Sequence, residues 1–214
     1  MSEIAPCITA ETTDDYKAQV ECIHAFAKRV HIDISDGEFT PNFLVSDSQV
    51  WWPEGCDADI HAMVQRPAEH IETLVGLKPN MIIVHAEAEG DIPALLQYIK
   101  KFDIKAGIAL QRSTVPETVA AMIEAADHVM IFSGELGHFG GNASLMQLEK
   151  VRLIKNINNA VEIGWDGGVT IDNAYSLTQG GIDVLNARGA IQKAADPQAA
   201  YATLVQEINK HGVI

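Results

Sequence analysis

Short apolar runs alternate along the chain with longer segments in which apolar residues recur at helical spacing. Runs of this length, rich in Ile, Val or Met, are typical of strands buried on both faces. The eight runs read EIAPCIT, VHIDI, ADIHAMV, MIIVHAE, KAGIAL, HVMIFS, VEIGWDG and DVLNA. The helical segments read DDYKAQVECIHAFAKR, PAEHIETLVGL, IPALLQYIKKF, PETVAAMIEAA, ASLMQLEKVRLIKNI and PQAAYATLVQEINK. Three prolines near first helical positions, Pro67, Pro116 and Pro197, support these helix starts.

The regular alternation of strands and helices predicts a parallel sheet in an α/β fold. Eight such units over residues 1–214 predict one domain, a single (β/α)8 TIM barrel. An open, doubly wound sheet is the alternative. The chain has no GxGxxG motif or phosphate-binding loop after the first strand, which disfavours that alternative.

The second unit is irregular, because residues 43–58 read FLVSDSQVWWPEGCDA and show no clean helical face. Pro53 and Gly55 interrupt the segment. It predicts a shortened second helix or a loop that carries Trp51 and Trp52. Adjacent tryptophans more often pack into a core or an interface than form a ligand platform, so we expect packing. An exposed pair would instead indicate a contact between subunits.

Composition limits the class of partner. The chain has 214 residues, 47% of them hydrophobic, which is enough for one large core. Its net charge of −14 argues against nucleic acid or an anionic membrane as partner, although a local cup of N–H groups can still bind a small anion. Three cysteines without CxxC spacing indicate reduced thiols in a cytoplasmic protein. We expect no signal peptide and no membrane span, since the start is acidic and no apolar run is long enough.

Ionisable residues fall at the ends of several predicted strands, where the chemistry of a barrel is found. Taken singly, each is more often a hydrogen-bonded core residue or a turn former than a ligand. Several buried carboxylates together are unfavourable without a compensating cation. Two imidazoles and two carboxylates that converge from separate strands predict a divalent metal site for Zn²⁺, Fe²⁺, Mn²⁺ or Co²⁺. The residues at these ends are His31, Asp33, Asp59, His61, His85, Glu87 and Asp166.

Five segments resemble signatures of the ribulose-phosphate 3-epimerase family, in the family's order. HIDISDGEFTPN resembles the family's HIDxMDGxFxPN, and DIHAMVQRPAEHI resembles its D-x-H-L-M-V-x-x-P segment. MIIVHAEA resembles its fourth strand, GIALQRSTVPETV its GxAxNPxTP segment, and WDGGVTIDN its VDGGV…N segment. Five matches in register over nearly the whole chain are specific for the family fold.

The resemblance implies a (β/α)8 barrel that inverts the carbinol carbon next to the ketone of a pentulose 5-phosphate, in the pentose phosphate pathway. It implies four metal ligands, namely His31, Asp33, His61 and Asp166. By the same resemblance, Asp33 and Asp166 are the acid/base pair on opposite faces of the substrate. The family commonly forms dimers or larger assemblies, so a homo-oligomer is expected.

The same resemblance implies a set of substrate-binding residues, several of which depart from the family. Cys7 replaces a serine, while Ser35 and Phe132 replace two of the methionines that line the metal pocket, of which Met63 remains. Arg188-Gly189 stands where the family has Gly-Ser at the phosphate cup, so Arg188 either binds the phosphate or blocks it. His138 offers a second possible donor there. The implied residues are Cys7, His61, Met63, Gly140, Gly141, Gly167, Gly168, Arg188 and Gly189.

The leading hypothesis is therefore a metal-dependent 3-epimerase that interconverts D-ribulose 5-phosphate and D-xylulose 5-phosphate. The altered cup and pocket walls leave open the same chemistry on another ketose phosphate, such as a hexulose 6-phosphate. They also leave open a non-catalytic barrel that binds a metal or an anion. A lyase or decarboxylase on a related barrel is disfavoured, because residues 31–42 contain no lysine for the D-x-K-x-x-D arrangement.

Overall fold

The computed structural model describes residues 2–138 and 141–210 and confirms the predicted barrel. Eight parallel strands close in chain order, and β8 pairs with β1. The strands are β1 (Glu3–Ile8), β2 (Arg29–Ser35), β3 (Asp57–Met63), β4 (Met81–His85), β5 (Lys105–Leu110), β6 (His128–Phe132), β7 (Glu162–Asp166) and β8 (Val184–Ala187).

Helices surround the barrel and follow the strands, with one exception. The α-helices are α1 (Thr13–His24), α2 (Pro67–Leu77), α3 (Ile92–Lys100), α4 (Ala120–Ala125), α5 (Glu149–Ile157), α6 (Ile171–Gln179), α7 (Gly189–Gln192) and α8 (Pro197–Ile208). Short 3₁₀ turns, Pro116–Val119 and Leu145–Leu148, precede α4 and α5. Proline in the first turn of α2, α3 and α8 fits these starts, because its missing N–H has no partner to lose there. Among the described residues, none of the helices has the length and apolar character needed to cross a membrane.

The exception is the connection from β2 to β3, which is a loop over residues 36–56. A shortened second helix is therefore not present, and the loop alternative is the one found. The segment lacks an apolar face, and the loop is held by a backbone hydrogen bond of 2.9 Å from Val45 N–H to Ala10 O. Trp52 packs against the hydrophobic core, as expected. Trp51 stays 43% exposed while its carbonyl accepts a 2.7 Å hydrogen bond from the Tyr16 hydroxyl.

Two apolar layers hold the barrel together. One lies between the strands and the surrounding helices, and the other fills the barrel interior with Met81, Ile83, Ala109, Met130 and Phe132. Strand register then sets the height of the polar residues above this interior layer. Asp33 pairs with His61 across β2 and β3, Cys7 pairs with His31, and Phe132 pairs with Asp166. The predicted site residues consequently lie at one level near the carboxyl ends of their strands.

Candidate metal centre and active site

Four side chains from three strands converge at this end of the barrel. His31 and Asp33 extend from β2, His61 from β3 and Asp166 from β7, and they form the group called the ligand cluster below. One possible ligand atom from each lies within 4.8 Å of the others. His61 Nδ1 is 2.9 Å from Asp33 Oδ1 and 4.0 Å from Asp166 Oδ2. These are the four residues that the resemblance implies as metal ligands, and the strand geometry brings all of them together.

The two carboxyls of the cluster have unequal proton affinities. Burial raises the pKa of Asp33, but His31 and His61 outweigh burial and hold it well below its usual range. Burial also raises the pKa of Asp166, and the negative charge of Asp33 adds to that effect, so it lies above its ordinary value. One carboxyl is thus ionised readily, while the other retains a proton to higher pH.

The surroundings of the His31 side chain indicate whether the ligand cluster fits a metal ion. Its ring is fully buried, and neither ring nitrogen has a hydrogen-bond partner among the described residues. Its Nε2 lies 3.2 Å from Asp33 Oδ1 without the alignment of a hydrogen bond. A buried imidazole that has one ionic contact and no aligned hydrogen bond is incompletely satisfied, and a bound metal ion would complete its interactions. Two imidazoles and two carboxylates around one point are the mixed N/O donor set that Zn²⁺, Fe²⁺, Mn²⁺ and Co²⁺ accept, so the residues fit such an ion.

Further polar side chains hold the ligand cluster in place. The Thr9 hydroxyl donates a 2.5 Å hydrogen bond to Asp33 Oδ2. His85, at the end of β4, has its Nε2 at 2.9 Å from His61 Nε2 and its Nδ1 at 3.2 Å from Glu87 Oε2. Burial lowers the pKa of His85 to about 4, with Glu87 opposing the shift. The ligands therefore do not rely on a metal ion alone for their orientation.

A cavity of about 520 Å³ opens beside the cluster at the carboxyl end of the barrel. Asp33 and Asp166 lie in its wall, so both carboxyls reach the space that a small molecule would occupy. His61 is fully buried and is not part of this wall. Gly140 lies outside the described residues. The other residues implied in substrate binding all line the cavity, namely Cys7, Met63, Gly141, Gly167, Gly168, Arg188 and Gly189.

The glycine after Asp166 is required by close packing. Gly167 has φ of +108°, and a Cβ there would lie 2.3 Å from the backbone nitrogen of Gly134. Since that neighbour is backbone and not a flexible side chain, it cannot move aside easily. The loops that follow β6 and β7 therefore meet with their main chains in contact beside Asp166.

Arg188 lies in the cavity wall at the end of β8. Its Nη2 donates a 3.2 Å hydrogen bond to the carbonyl of Thr9, the residue whose hydroxyl binds Asp33. The guanidinium is close enough to reduce the pKa of the Cys7 thiol, although burial and the two aspartates still raise that pKa well above its ordinary value. Arg188 thus adds positive charge to the side of the cavity formed by β8 and β1. His138, also in the wall, is exposed.

The departures from the family pattern have different structural consequences. Ser35 does not line the cavity, because its hydroxyl donates a 2.8 Å hydrogen bond to the Asn42 carbonyl and accepts one from Gly37 N–H. It stabilises the β2–β3 loop. Phe132 does line the cavity, and its ring centroid is 5.9 Å from that of His61. The pocket wall therefore has an aromatic ring next to a predicted ligand.

Sequence reasoning did not assign a role to Thr9, Asn186 or the pair His85 and Glu87. Asn186 lines the cavity, and its amide contacts Met130 Sδ at 3.2 Å. A usable signal existed for His85 and Glu87, since they repeat the spacing of two that His31 and Asp33 show. Thr9 follows β1 directly, at the height where site residues gather in a barrel.

Several known proteins are similar to this chain. A sequence model of the Ribulose-phosphate 3 epimerase family matches residues 3–192. The ribulose-phosphate 3-epimerase of Helicobacter pylori is 31% identical over 210 residues, which cover 94% of this chain and 96% of that protein. The ribulose-phosphate 3-epimerase of Chlamydia muridarum is 28% identical over 195 residues, which cover 87% of this chain and 86% of that protein.

A solved 3-hexulose-6-phosphate synthase from Salmonella typhimurium superposes with a TM-score of 0.72. It is 13% identical to this chain, and the superposition covers 97% of this chain and 98% of that protein. At this identity the similarity is one of fold alone. The family match extends over most of the chain, and the two relatives named above align over most of their own length. The chain therefore belongs to the ribulose-phosphate 3-epimerase family, and with it to the isomerases that act on carbohydrates.

Proposed function

We propose that this protein is a metal-dependent epimerase that inverts C3 of a ketose phosphate, in the simplest case converting D-ribulose 5-phosphate to D-xylulose 5-phosphate. The observation that carries the proposal is the ligand cluster with both its carboxyls in the wall of one cavity. Epimerisation next to a ketone needs a base on one face of the substrate and an acid on the other. The family relatives, named ribulose-phosphate 3-epimerases, support the choice of substrate.

Asp33 and Asp166 are the proposed acid and base. The Asp33 carboxylate removes the C3 proton from one face, and the protonated Asp166 carboxyl returns a proton to the other; the roles reverse for the opposite reaction. In metal-free protein the pKa of Asp33 is lowered and that of Asp166 is raised, which allows one carboxyl to start ionised and the other protonated, as inversion requires. A divalent ion held by the ligand cluster would supply Lewis-acid stabilisation of the negative charge on the substrate oxygens.

The remaining cavity residues bind and shield the substrate in this proposal. Gly167, Gly168 and Gly189 place main-chain atoms in the cavity wall where a phosphate group would bind, and Arg188 adds a positive side chain in the same wall. Phe132 and Met63 form apolar wall next to the reacting carbon and exclude water. A small sugar phosphate is the proposed partner, and the predicted homo-oligomer and cytoplasmic location stay predictions.

Isotope exchange tests the proposal directly. The protein is loaded with Co²⁺ or Zn²⁺ and given ribulose 5-phosphate in D₂O, and NMR follows loss of the C3 proton signal. We expect exchange with wild type and none with the double variant Asp33→Asn/Asp166→Asn, which lacks both bases. A parallel sample with a hexulose 6-phosphate tests the alternative substrate, which the altered phosphate cup and pocket walls leave open. Absence of exchange on both substrates would contradict the epimerase function and favour a non-catalytic barrel.

A further inference from the structure

A row of hydrogen-bonding groups runs outward from the ligand cluster through three neighbouring strands. It links Asp33 on β2, His61 on β3 and His85 on β4, and it ends at Glu87 just after β4. The successive distances are 2.9 Å from Asp33 Oδ1 to His61 Nδ1, 2.9 Å between the Nε2 atoms of the two histidines, and 3.2 Å from His85 Nδ1 to Glu87 Oε2. These four residues are called the histidine relay below.

The relay contains more hydrogen-bond acceptors than two neutral histidines can satisfy. Each of its three contacts needs one hydrogen between the two heavy atoms, because carboxylates and unprotonated ring nitrogens only accept. Two neutral imidazoles carry one N–H each, which supplies two hydrogens for three contacts. The relay is therefore complete only when one further cation, a proton or a metal ion, occupies one contact.

The surroundings indicate which contact the cation occupies. At the outer end, Glu87 Oε1 already accepts a 3.0 Å hydrogen bond from Gln111 N–H and another from the Thr114 hydroxyl, which hold the carboxylate in place for His85 Nδ1–H. At the inner end, the contact between Asp33 and His61 borders the cavity and the other two members of the ligand cluster. A metal ion fits the inner end, so both N–H groups point outward toward Glu87.

We propose that His85 and Glu87 are positioning residues that keep the proton of His61 on Nε2, so that its Nδ1 lone pair is free to bind the metal ion. Neither residue touches substrate. The proposal rests on the metal site proposed above and adds the reason why His61 presents the correct nitrogen. The direction of donation is fixed from the outside, because the anionic Glu87 accepts from His85, and His85 must then accept from His61.

The first test is Glu87→Gln. A glutamine amide can donate to His85 Nδ1, which permits the reverse direction of donation and moves the His61 proton to Nδ1, where it competes with the metal ion. We expect Zn²⁺ affinity, measured by chelator competition, to fall about 10–100-fold. The matched control is Glu89→Gln, two residues along the same loop, where the carboxylate accepts from the exposed Gln65 amide instead of a histidine. That control should bind Zn²⁺ with unchanged affinity.

Nitrogen NMR of histidine-labelled protein supplies a readout that lost packing alone would not produce. In zinc-loaded wild type we expect the His61 proton on Nε2, and in metal-free Glu87→Gln we expect it on Nδ1. A zinc-loaded wild type with His61 protonated at Nδ1 would overturn the proposal. So would a folded Glu87→Gln protein that binds Zn²⁺ within about twofold of wild type, a change well inside the expected loss.

A pair of substitutions at His85 decides the matter if Glu87→Gln does not fold. His85→Gln retains an acceptor for His61 Nε2–H and should bind Zn²⁺ nearly as well as wild type, whereas His85→Leu removes that acceptor and should bind about 10–100-fold more weakly. Equal affinities for these two variants would contradict the relay. Normal zinc binding without C3 proton exchange would contradict the epimerase function alone. Full exchange with unchanged affinity in Glu87→Gln would contradict the relay alone.

Discussion

The two ends of the barrel both bury carboxylates, but they compensate them differently. At the amino end, the Arg29 guanidinium lies among three carboxylates, with Nε 2.6 Å from Asp59, Nη2 3.0 Å from Glu162 and Nη1 3.1 Å from Glu3. His128 Nδ1 is a further 2.7 Å from Glu162. At the carboxyl end, the charged neighbours in contact with Asp33 and Asp166 are the imidazoles of His31 and His61.

This difference separates a structural charge cluster from a functional one. The amino end carries its own permanent cation, since an arginine stays protonated at any ordinary pH, and the Asp59 and Glu162 contacts raise its pKa further against burial. In the proposed function an ion from solution would occupy the cationic position at the carboxyl end, where two carboxyls face a cavity. We therefore expect substitutions at the amino end to change stability and substitutions at the carboxyl end to change activity.

The largest expected effect is on catalysis, from Asp33→Asn or Asp166→Asn. Each removes one of the two groups that exchange a proton with C3 in the proposed mechanism, so we expect turnover to fall about 10²–10⁴-fold or more. Coupled assays of ribulose 5-phosphate conversion measure it. The midpoint of urea unfolding in the presence of a chelator should not fall for Asp166→Asn, because the change removes repulsion from Asp33. A strongly destabilised but active Asp166→Asn protein would contradict the expectation that the carboxyl end serves activity and the amino end serves stability.

The largest expected effect on stability comes from Arg29→Met. Removal of the guanidinium leaves the buried Asp59 carboxylate, and Glu162 beside it, without their cation. We expect the free energy of unfolding to fall by about 3–5 kcal/mol. Urea denaturation measures the loss, and turnover per folded molecule should remain. Arg66→Met is the control, since Arg66 pairs with Glu38 and Glu69 at the surface and its loss should leave the unfolding midpoint unchanged.

Metal ions should stabilise the folded protein by binding at the carboxyl end of the barrel and not at the amino end. An ion that binds the folded state at 100 times its Kd adds about 2.7 kcal/mol to the free energy of unfolding. We expect Zn²⁺ or Mn²⁺ to raise the melting temperature of wild type and of Glu162→Gln alike. Asp33→Asn should lose the increase, because it removes a ligand. An equal increase in Asp33→Asn would mean that the ions bind elsewhere.

The smallest effects are on pH dependence, and in metal-free protein the contributions of Glu162 at the amino end and Asp166 at the carboxyl end should have opposite signs. Burial raises the pKa of Glu162, but His128 and Arg29 lower it overall, so its stabilisation is present above about pH 4.3 and is lost as pH falls below that value. The raised pKa of Asp166 has the opposite consequence, since the folded state holds its proton longer and loses stability as pH rises.

Urea unfolding midpoints between pH 3 and pH 7 test these signs. Glu162→Gln should reduce the slope of unfolding free energy against pH on the acid side, by an amount that corresponds to at most about one bound proton per molecule. Asp166→Asn should gain stability relative to wild type as pH rises. Parallel profiles for wild type and both variants would show that neither carboxyl differs in proton affinity between the folded and unfolded states.

The sequence predicted the barrel because each strand is a short apolar run and each helix has its own period and start signal. Strand-end geometry indicated seven ionisable residues at one face of the barrel, and the family resemblance then implied the four that form the ligand cluster. The sequence could not predict the histidine relay, since the contact between His61 and His85 depends on the register of β3 against β4. The Arg29 cluster was missed for a similar reason, because its partners come from three other strands.

The β2–β3 loop that replaces a helix has a consequence for how molecules enter and leave the cavity. Asn42 in this loop donates a 3.0 Å hydrogen bond to the Gly137 carbonyl in the loop after β6. A Cβ at Gly137, whose φ is +78°, would lie 2.5 Å from Pro41 Cγ, so the two loops touch closely. If the cavity opens on this side, the loop after β2 and the loop after β6 must therefore move together or lose their contact. We therefore expect the rate of product release, and not only the shape of the pocket, to depend on this junction.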